Sequence, residues 1–250
     1  MKAMEKFEVK DIIFSSSATV YDAENLLPPF SENDRLKTIN PYGTTKLIIE
    51  YLLRDMVQHK GFNAIALRYF NPIGAHSSHL IGENPKGIPT NLLPFLMKVA
   101  RGEIEKLNIF GDDYETEDGT CIRDYIHVMD VAEAHFAAAK YLHDRALLEE
   151  TSEIHSIEPI FEVANIGTGY GKSVKEMMGI VSTVVEKEIP YVIVERRNGD
   201  VPVSLANPLK AKKLFDREAK RPIIQAVEDA RIYLQNQTEN EEQKPLDIAR

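Results

Sequence analysis

The chain has 250 residues, 43% hydrophobic and 28% charged, which is the balance of a globular protein with a real core. A formal net charge of −9 and a pI near 5.4 come with no basic patch, which argues against nucleic acid or a membrane surface as a partner. The lone Cys121 excludes an intrachain disulfide, and no apolar run approaches the ~18 residues of a membrane span, so the cytoplasm is the expected compartment.

In chain order, Met1 to Lys10 carries no apolar signal region, and a strand is expected from Phe7 to Phe14. The string Asp11-Ile12-Ile13-Phe14 reads as buried, running into the hydroxyl residues Ser15-Ser16-Ser17. Val20 to Ile39 is loop-like, with Pro28-Pro29 and a polar end. Asn40 or a neighbour starts a helix, Leu47, Ile48, Tyr51 and Leu52 give its apolar face as far as Val57, and Gly61 ends it. Ala64 to Tyr69 is a short buried strand, and strand-helix-strand implies a right-handed crossover in a parallel sheet.

Gly74 to Pro89 reads as a long loop, Leu92 to Arg101 as a helix, Leu107 to Phe110 as a strand, and Gly111 to Gly119 as an acidic loop. Asp130 to Leu142 is a strong amphipathic helix with Val131, Ala134, Ala138 and Leu142 in phase. His143 to Pro159 reads as a surface excursion, Phe161 to Ile166 as a strand, and Ser173 as the cap of a helix. Pro190 to Val194 is another strand, Lys210-Ala211-Lys212-Lys213 a solvated helix face, and Gln235 to Arg250 a polar, frayed tail.

The chemistry centres on Asn40-Pro41-Tyr42-Gly43-Thr44-Thr45-Lys46. Tyr42 and Lys46 are four positions apart and share one helix face. A free phenol titrates near pH ~10, too high for a base at neutral pH, and an ammonium beside a phenol favours the phenolate. Such a pair can move protons, although a Tyr-x-x-x-Lys spacing by itself also fits an ordinary helix face. Ser17, at a strand end 25 positions earlier, can hydrogen-bond the same substrate hydroxyl. Ser, Tyr and Lys in that order resemble the working set of the short-chain dehydrogenase/reductase superfamily.

Longer strings resemble the UDP-glucose 4-epimerase family. They are Phe14-Ser15-Ser16-Ser17-Ala18-Thr19-Val20-Tyr21, Asn40-Pro41-Tyr42-Gly43, Arg68-Tyr69-Phe70-Asn71-Pro72, Gly87-Ile88-Pro89-Thr90-Asn91-Leu92-Leu93-Pro94, and Gly111-Asp112-Asp113-Tyr114 through Arg123-Asp124-Tyr125-Ile126-His127. The resemblance implies an α/β fold: the C-terminal part of a Rossmann-like, doubly wound parallel sheet plus a smaller α+β substrate-binding domain. Residues 1–72 would be the remaining half of the NAD-binding domain. Residues 73–235 would mainly bind the UDP-sugar, with about 120–145 and 161–182 packing back on the sheet, and 236–250 would be a tail.

The resemblance also implies an isomerase of galactose metabolism, which oxidises the sugar at C4 with bound NAD and reduces it again on the other face. UDP-glucose and UDP-galactose would interconvert. Tyr42 matches the base, Lys46 the residue that favours its phenolate and holds the nicotinamide ribose, and Ser17 the hydroxyl partner. Phe70 and Tyr69 match nicotinamide-side contacts. Arg123 and Arg197 match arginines that fork onto the diphosphate. Asn71, Asn91 and Leu92 match substrate contacts, Asn108, Ile109 and Phe110 a uridine-binding strand, and Asp200 an acid that closes the site through the ribose. Ser204 matches a pocket wall that is small in some members, which implies room for the 2-acetamido group of UDP-N-acetylglucosamine.

Other roles stay open for some of these residues: Arg123 as a partner of Asp124 or Asp130, Asn71 as a turn former, Asn91 as a helix cap. Thr90 stands where an asparagine is common, Asn198 where an acid is common, and Asp22 where a glycine usually follows Val-Tyr.

The sequence has no G-x-x-G-x-x-G loop to cradle the NAD pyrophosphate. The nearest string, Gly167-Thr168-Gly169-Tyr170-Gly171, is a weak candidate. The expectation is a chain beginning about three βα units late, at ~30 residues each, that holds NAD poorly on its own. Its partners would be a second copy or a separately encoded NAD-binding fragment. A non-catalytic remnant is the alternative from another class, and a 4,6-dehydratase is disfavoured because Ala18-Thr19 offers no carboxylate pair. No metal is expected: His76 and His79 lack a third ligand, and the acidic run Asp112 to Asp118 lacks the order of a calcium loop.

Overall fold

The computed structural model describes residues 2–151 and 158–242. The elements run α1 (Lys2–Lys6), β1 (Asp11–Ser17), α2 (Pro41–Lys60), β2 (Asn63–Tyr69), β3 (Asn71–Ile73), α3 (Leu92–Ala100), β4 (Leu107–Phe110), β5 (Ile122–His127), α4 (Val128–Thr151), β6 (Phe161–Ile166), β7 (Gly171–Ser173), α5 (Val174–Val185), β8 (Tyr191–Val194), β9 (Val203–Ser204), α6 (Leu209–Phe215) and α7 (Ile223–Glu242). A 3-10 turn over Ala18–Val20 follows β1.

β1, β2 and β6 form an all-parallel sheet in the order β1-β2-β6. Side chains alternate between the faces of a strand, and β1 shows it directly. Ile12 and Phe14 join Leu53, Val57, Phe62 and Ala64 under α2. Ile13 joins Ile65, Leu67, Ala164 and Ile166 under α4 and α6. Helices therefore cover both faces of the parallel sheet, the layering expected of this α/β class.

The remaining strands carry the rest of the molecule. β5 lies between β3, parallel, and β7, antiparallel, and also takes β9. β4 and β8 pair in parallel. α3, α5 and α7 close around Leu107, Ile109, Met177 and Val227 in a separate core. β6 thus lies in the parallel sheet, whereas α5, which follows it after the short β7, belongs to the second core.

Helix α2 begins as its sequence dictates. The Asn40 side chain accepts the Gly43 N–H, Pro41 sits in the first turn, and Gly61 closes the helix at φ 65°. At α5 the Ser173 cap is confirmed as a full capping box with Glu176.

Several expectations need correction. The first strand starts at Asp11, not Phe7; Phe7 is 71% exposed and Glu8 turns through a left-handed φ of 57°. β1 is not a buried strand throughout: only Ser16 and Ser17 are buried, because β1 is the edge of its sheet. The buried face of α2 is Gly43, Glu50, Leu53 and Val57, while Ile48, Tyr51 and Leu52 face outward. The helix carries two apolar stripes, and the less apolar one, which includes a charged residue, faces the sheet.

α4 does not stop at Leu142 but continues to Thr151, so most of the expected surface excursion is helical, and 152–157 lie outside the described residues. α7 likewise carries the supposed tail in helical form as far as Glu242, because Ala226, Val227, Ala230, Tyr233 and Leu234 make a stripe onto the second core. The rest of that tail, 243–250, lies outside the described residues.

Candidate active site

Parallel strands end together, and a cleft forms where β1, β2 and β3 deliver their last residues beside the start of α2. It encloses about 530 Å³. Ser17, Tyr42, Tyr69, Phe70 and Asn71 line one part; Asn108, Phe110, Arg123, Arg197 and Asp200 line another; Asn91 and Leu92 lie between the loop and α3.

The close approach of α2 to the end of β1 depends on a glycine. A Cβ on Gly43 would lie 2.5 Å from the Thr19 carbonyl oxygen. Tyr42, next in sequence, is therefore brought beside Ser17 by a contact that only glycine permits. The Ser17 hydroxyl accepts from the Thr19 N–H at 3.2 Å and from the Thr19 hydroxyl at 3.0 Å. Both bonds use the Ser17 oxygen, which leaves its hydrogen to donate elsewhere. Tyr42 is 56% exposed, open to a ligand in the cleft.

Lys46 does not line the cleft. Its Nζ lies 5.4 Å from the Tyr42 ring centroid and 5.2 Å from that of Phe14, and donates to the Ser15 carbonyl at 2.8 Å. The ammonium thus lies on the tyrosine's side of the helix, held by the strand that carries Ser17. Tyr69 reaches the cleft edge with its hydroxyl bonded to Ser15 Oγ at 2.9 Å and to His135 Nε2 of α4. Burial pushes His135 below the ordinary histidine range.

At the other part of the cleft the turn Arg197-Asn198-Gly199-Asp200 places an arginine and an acid side by side, with Gly199 at φ 83° and the Asp200 N–H on the Arg197 carbonyl at 3.2 Å. The Arg197 guanidinium lies 3.7 Å from the centroid of the Phe110 ring. Arg123 donates to the Ile122 and Val201 carbonyls at 2.9 and 2.8 Å and meets Asp200 Oδ1 at 3.4 Å. Arg123 is thus no partner of Asp124 or Asp130, since Asp130 pairs with Arg221.

Some candidates fall elsewhere. β4 alternates, so Asn108 and Phe110 reach the cleft while Ile109 points into the core at 1% exposure. Ser204 lies on β9 in register with Arg123 but does not line the cleft. Asn91 stands at the N-cap of α3 without capping it; its amide donates to Glu83 at 2.9 Å. Asp22 has no positive φ; it is a buried acid faced by Arg35 at 3.4 Å and Lys37 at 3.9 Å.

The string Gly167–Gly171 is no phosphate cradle. Buried Asp124 accepts the N–H groups of Thr168 and Gly169, both at 2.8 Å, and the Thr168 hydroxyl at 2.7 Å. A carboxylate already occupies the place an anion would take. His79 gives Nε2 to Asp229 Oδ1 at 3.0 Å, and His76 pairs with Ser78.

Residues the sequence did not single out also line the cleft, among them Ser16, Phe95, Cys121 and Tyr125. Cys121 and Tyr125 flank Arg123, and strand alternation around that arginine was the available signal. Burial raises the Tyr125 phenol well above its ordinary range, which keeps it a neutral hydrogen-bonding group.

A parallel sheet with helices on both faces, a serine at a strand's carboxyl end, and a Tyr-x-x-x-Lys helix start beside it define the short-chain dehydrogenase/reductase class. Comparison with known proteins narrows this. The chain belongs to the NAD dependent epimerase/dehydratase family, which it matches over residues 1–150. It is 45% identical over 230 residues to the UDP-glucose 4-epimerase of Bacillus subtilis (strain 168), covering 92% of this chain and 64% of that one. It also resembles the solved UDP-glucose-4-epimerase of Stenotrophomonas maltophila with bound NAD and formylated UDP-arabinopyranose, at TM-score 0.86 and 38% identity, over 96% of this chain and 67% of that one. The Bifidobacterium longum UDP-glucose 4-epimerase, in complex with NAD+ and UDP, gives TM-score 0.82 and 42% identity over the same shares. The chain thus spans just under two thirds of the length of the Bacillus relative.

Proposed function

We propose that this chain carries the catalytic and UDP-sugar-binding portion of a UDP-glucose 4-epimerase, interconverting UDP-glucose and UDP-galactose. The observation that carries this reading is the joint placement of Ser17 and Tyr42 at one part of a cleft, with Lys46 just outside it against the Tyr42 ring, while the other part holds Arg123, Arg197 and Phe110.

Tyr42 accepts the proton of the sugar 4-hydroxyl and later returns it. Ser17, with its oxygen pinned by Thr19, donates to that same hydroxyl oxygen and orients it. Lys46 stabilises the phenolate form electrostatically. Arg123 and Arg197 take the diphosphate, Phe110 stacks under the nucleotide end, and Asn71 and Asn91 contact the sugar. Asp200, already beside Arg123, receives the ribose. Residues 1–72 supply the catalytic set, and most of 73–235 the substrate wall.

The residues present fit one end of NAD, the nicotinamide ribose, at Tyr42, Lys46, Tyr69 and Phe70. When bound, that cofactor takes up and gives back a hydride at the sugar carbon. The sequence has no Gly-rich pyrophosphate loop, and Asp124 fills the one turn that resembles it. The chain alone therefore binds NAD weakly, and its open β1 edge with exposed Ile48, Tyr51 and Leu52 favours pairing with a fragment that carries such a loop.

The test is a coupled assay of UDP-galactose conversion by the purified chain with NAD, repeated with the N-terminal, NAD-binding fragment of the Bacillus relative added. Turnover in either arm that disappears in Tyr42→Phe supports the reading. Failure in both arms despite bound NAD and UDP would count for a non-catalytic binding role. Acceptance of UDP-N-acetylglucosamine is the finer proposal. It rests on the match of Ser204 to a pocket wall that is small in some family members; Ser204 stands behind the lining here, paired with Arg123, so S204Y should lower activity on that sugar alone if the match holds and leave both sugars alike if it does not. Among the described residues no helix is long and apolar enough to cross a membrane; the cytoplasm is the compartment we propose, on the single cysteine.

A further inference from the structure

Behind the cleft lies a buried junction that the proposed chemistry leaves unused. Glu50 on α2 and Arg68 on β2 are each 1% exposed. Arg68 donates from Nε to Glu50 Oε1 at 3.0 Å and from a terminal nitrogen to Oε2 at 2.6 Å. Ser16 donates from Oγ to the same Oε1 at 2.5 Å. The guanidinium also reaches the Glu32 carbonyl at 3.3 Å and stands 4.8 Å from the Tyr21 ring centroid. As a source of stability such a pair is a poor choice, because an apolar pair of similar volume often does as well. What an apolar pair cannot supply is direction.

The placement of the junction gives it a task. Glu50 lies four residues beyond Lys46 and eight beyond Tyr42, on the helix that carries both. Ser16 precedes Ser17 and lines the cleft beside it. The end of β1 is thus tied to α2 twice, by Lys46 on the Ser15 carbonyl and by Ser16 on Glu50, and β2 closes the triangle through Arg68. We propose that Glu50, with Arg68 as its counter-ion, is a positioning residue that sets the height of α2 against β1, so that the Lys46 ammonium and the Ser17 hydroxyl both face the Tyr42 phenol. The inference deepens the reading of those three residues given above and rests on it.

The test uses two variants of the full chain, S16A and E50M/R68M. The first readout needs no turnover: the acetylation rate of Lys46 by acetic anhydride, followed by peptide mass spectrometry. Lys98, bonded to the Gly87 carbonyl, serves as internal reference. E50M/R68M should keep its Tm close to that of the unmutated chain. Its Lys46 should nevertheless react about threefold to tenfold faster, the worth of one net hydrogen bond, with Lys98 unchanged. S16A should move in the same direction by less. An unchanged Lys46 rate in both variants overturns the proposal, and S16A decides alone should the double variant not fold.

The second readout is a kcat-against-KM split on UDP-galactose. The double variant should lose about tenfold to a hundredfold in kcat at constant KM. A kcat loss that only accompanies a fall in Tm, with the Lys46 labelling rate unchanged, would show a merely structural pair and overturn the proposal. Absence of turnover in the unmutated chain both with and without the added fragment, despite bound NAD and UDP, would count against the proposed function, while the labelling rates still decide this inference.

Discussion

Tyr42, Gly43 and Lys46 occupy the first turns of α2, and each answers to a different physical demand. The phenol needs an open cleft, the glycine a backbone approach so close that an added Cβ would lie 2.5 Å from the Thr19 carbonyl oxygen, and the ammonium a strand carbonyl to hold it. Tyr42→Phe removes the only proton acceptor in the proposed mechanism, and kcat should fall about 10²- to 10⁴-fold with KM little changed, in the assay named above. Gly43→Ala forces a methyl group into the Thr19 carbonyl and should destabilise the chain by about 1–3 kcal/mol, read as a lower denaturation midpoint. His135 makes a pH prediction. Burial lowers its folded-state pKa, so the unfolded chain takes up that proton first. Its contribution is fully present above the ordinary histidine value of ~6.5 and is lost as pH falls below it. Urea midpoints measured from pH 7 downward should therefore drop, and less steeply in His135→Phe. The placement of Ser17, Tyr42 and Lys46 near one another was legible from local spacing, while their chemical roles are those proposed above. Ile109 was misplaced although strand alternation was available to set it apart from Asn108 and Phe110. Glu50 was not legible, because a glutamate on a helix reads as solvated until the arginine that buries it, on the following strand, is placed.

Elements are fixed here by caps and by buried acids in about equal measure. Asn40, Ser173 and Gly61 punctuate α2 and α5 through side-chain and left-handed caps, and such signals are local enough to read from sequence. Asp124 works differently. It sits in the middle of β5 and gathers the Thr168, Gly169 and Ala206 N–H groups, joining the turn after β6 to the segment after β9. Asp124→Ala would leave one buried and two half-buried donors without a partner and should cost roughly 2–3 kcal/mol, measured by equilibrium denaturation. The same side chain explains why a glycine-rich string that looks suited to phosphate is a structural turn. The lengths of α4 and α7 escaped the sequence for a related reason. Their last turns are polar, and helicity there follows from apolar stripes upstream rather than from the terminal residues themselves.

For the whole molecule, parallel β1-β2-β6 and the separate core around α3, α5 and α7 meet at the cleft, one delivering Ser17, Tyr69 and Phe70 and the other Asn108, Phe110 and Phe95. The layer order was legible because strand-helix-strand spacing forces parallel pairing. The division of β6 from α5 was not, since adjacent stretches of chain joined different cores. If a loop-bearing fragment completes the NAD site, its addition should raise both Tm and NAD affinity together, seen by calorimetry, in proportion to the fragment bound.

Strand β1 also bears on how the protein behaves in a tube. Among the described residues no strand pairs with the outer side of β1, and amides and carbonyls along such an edge recruit whatever extended segment reaches them first, including the same edge of a second copy. A surplus of nine negative charges keeps such copies apart near neutral pH, and that protection vanishes towards pH 5.4. Light scattering should accordingly climb as the buffer is acidified to that point, and fall again when salt-free neutral buffer is restored before ladders have time to anneal.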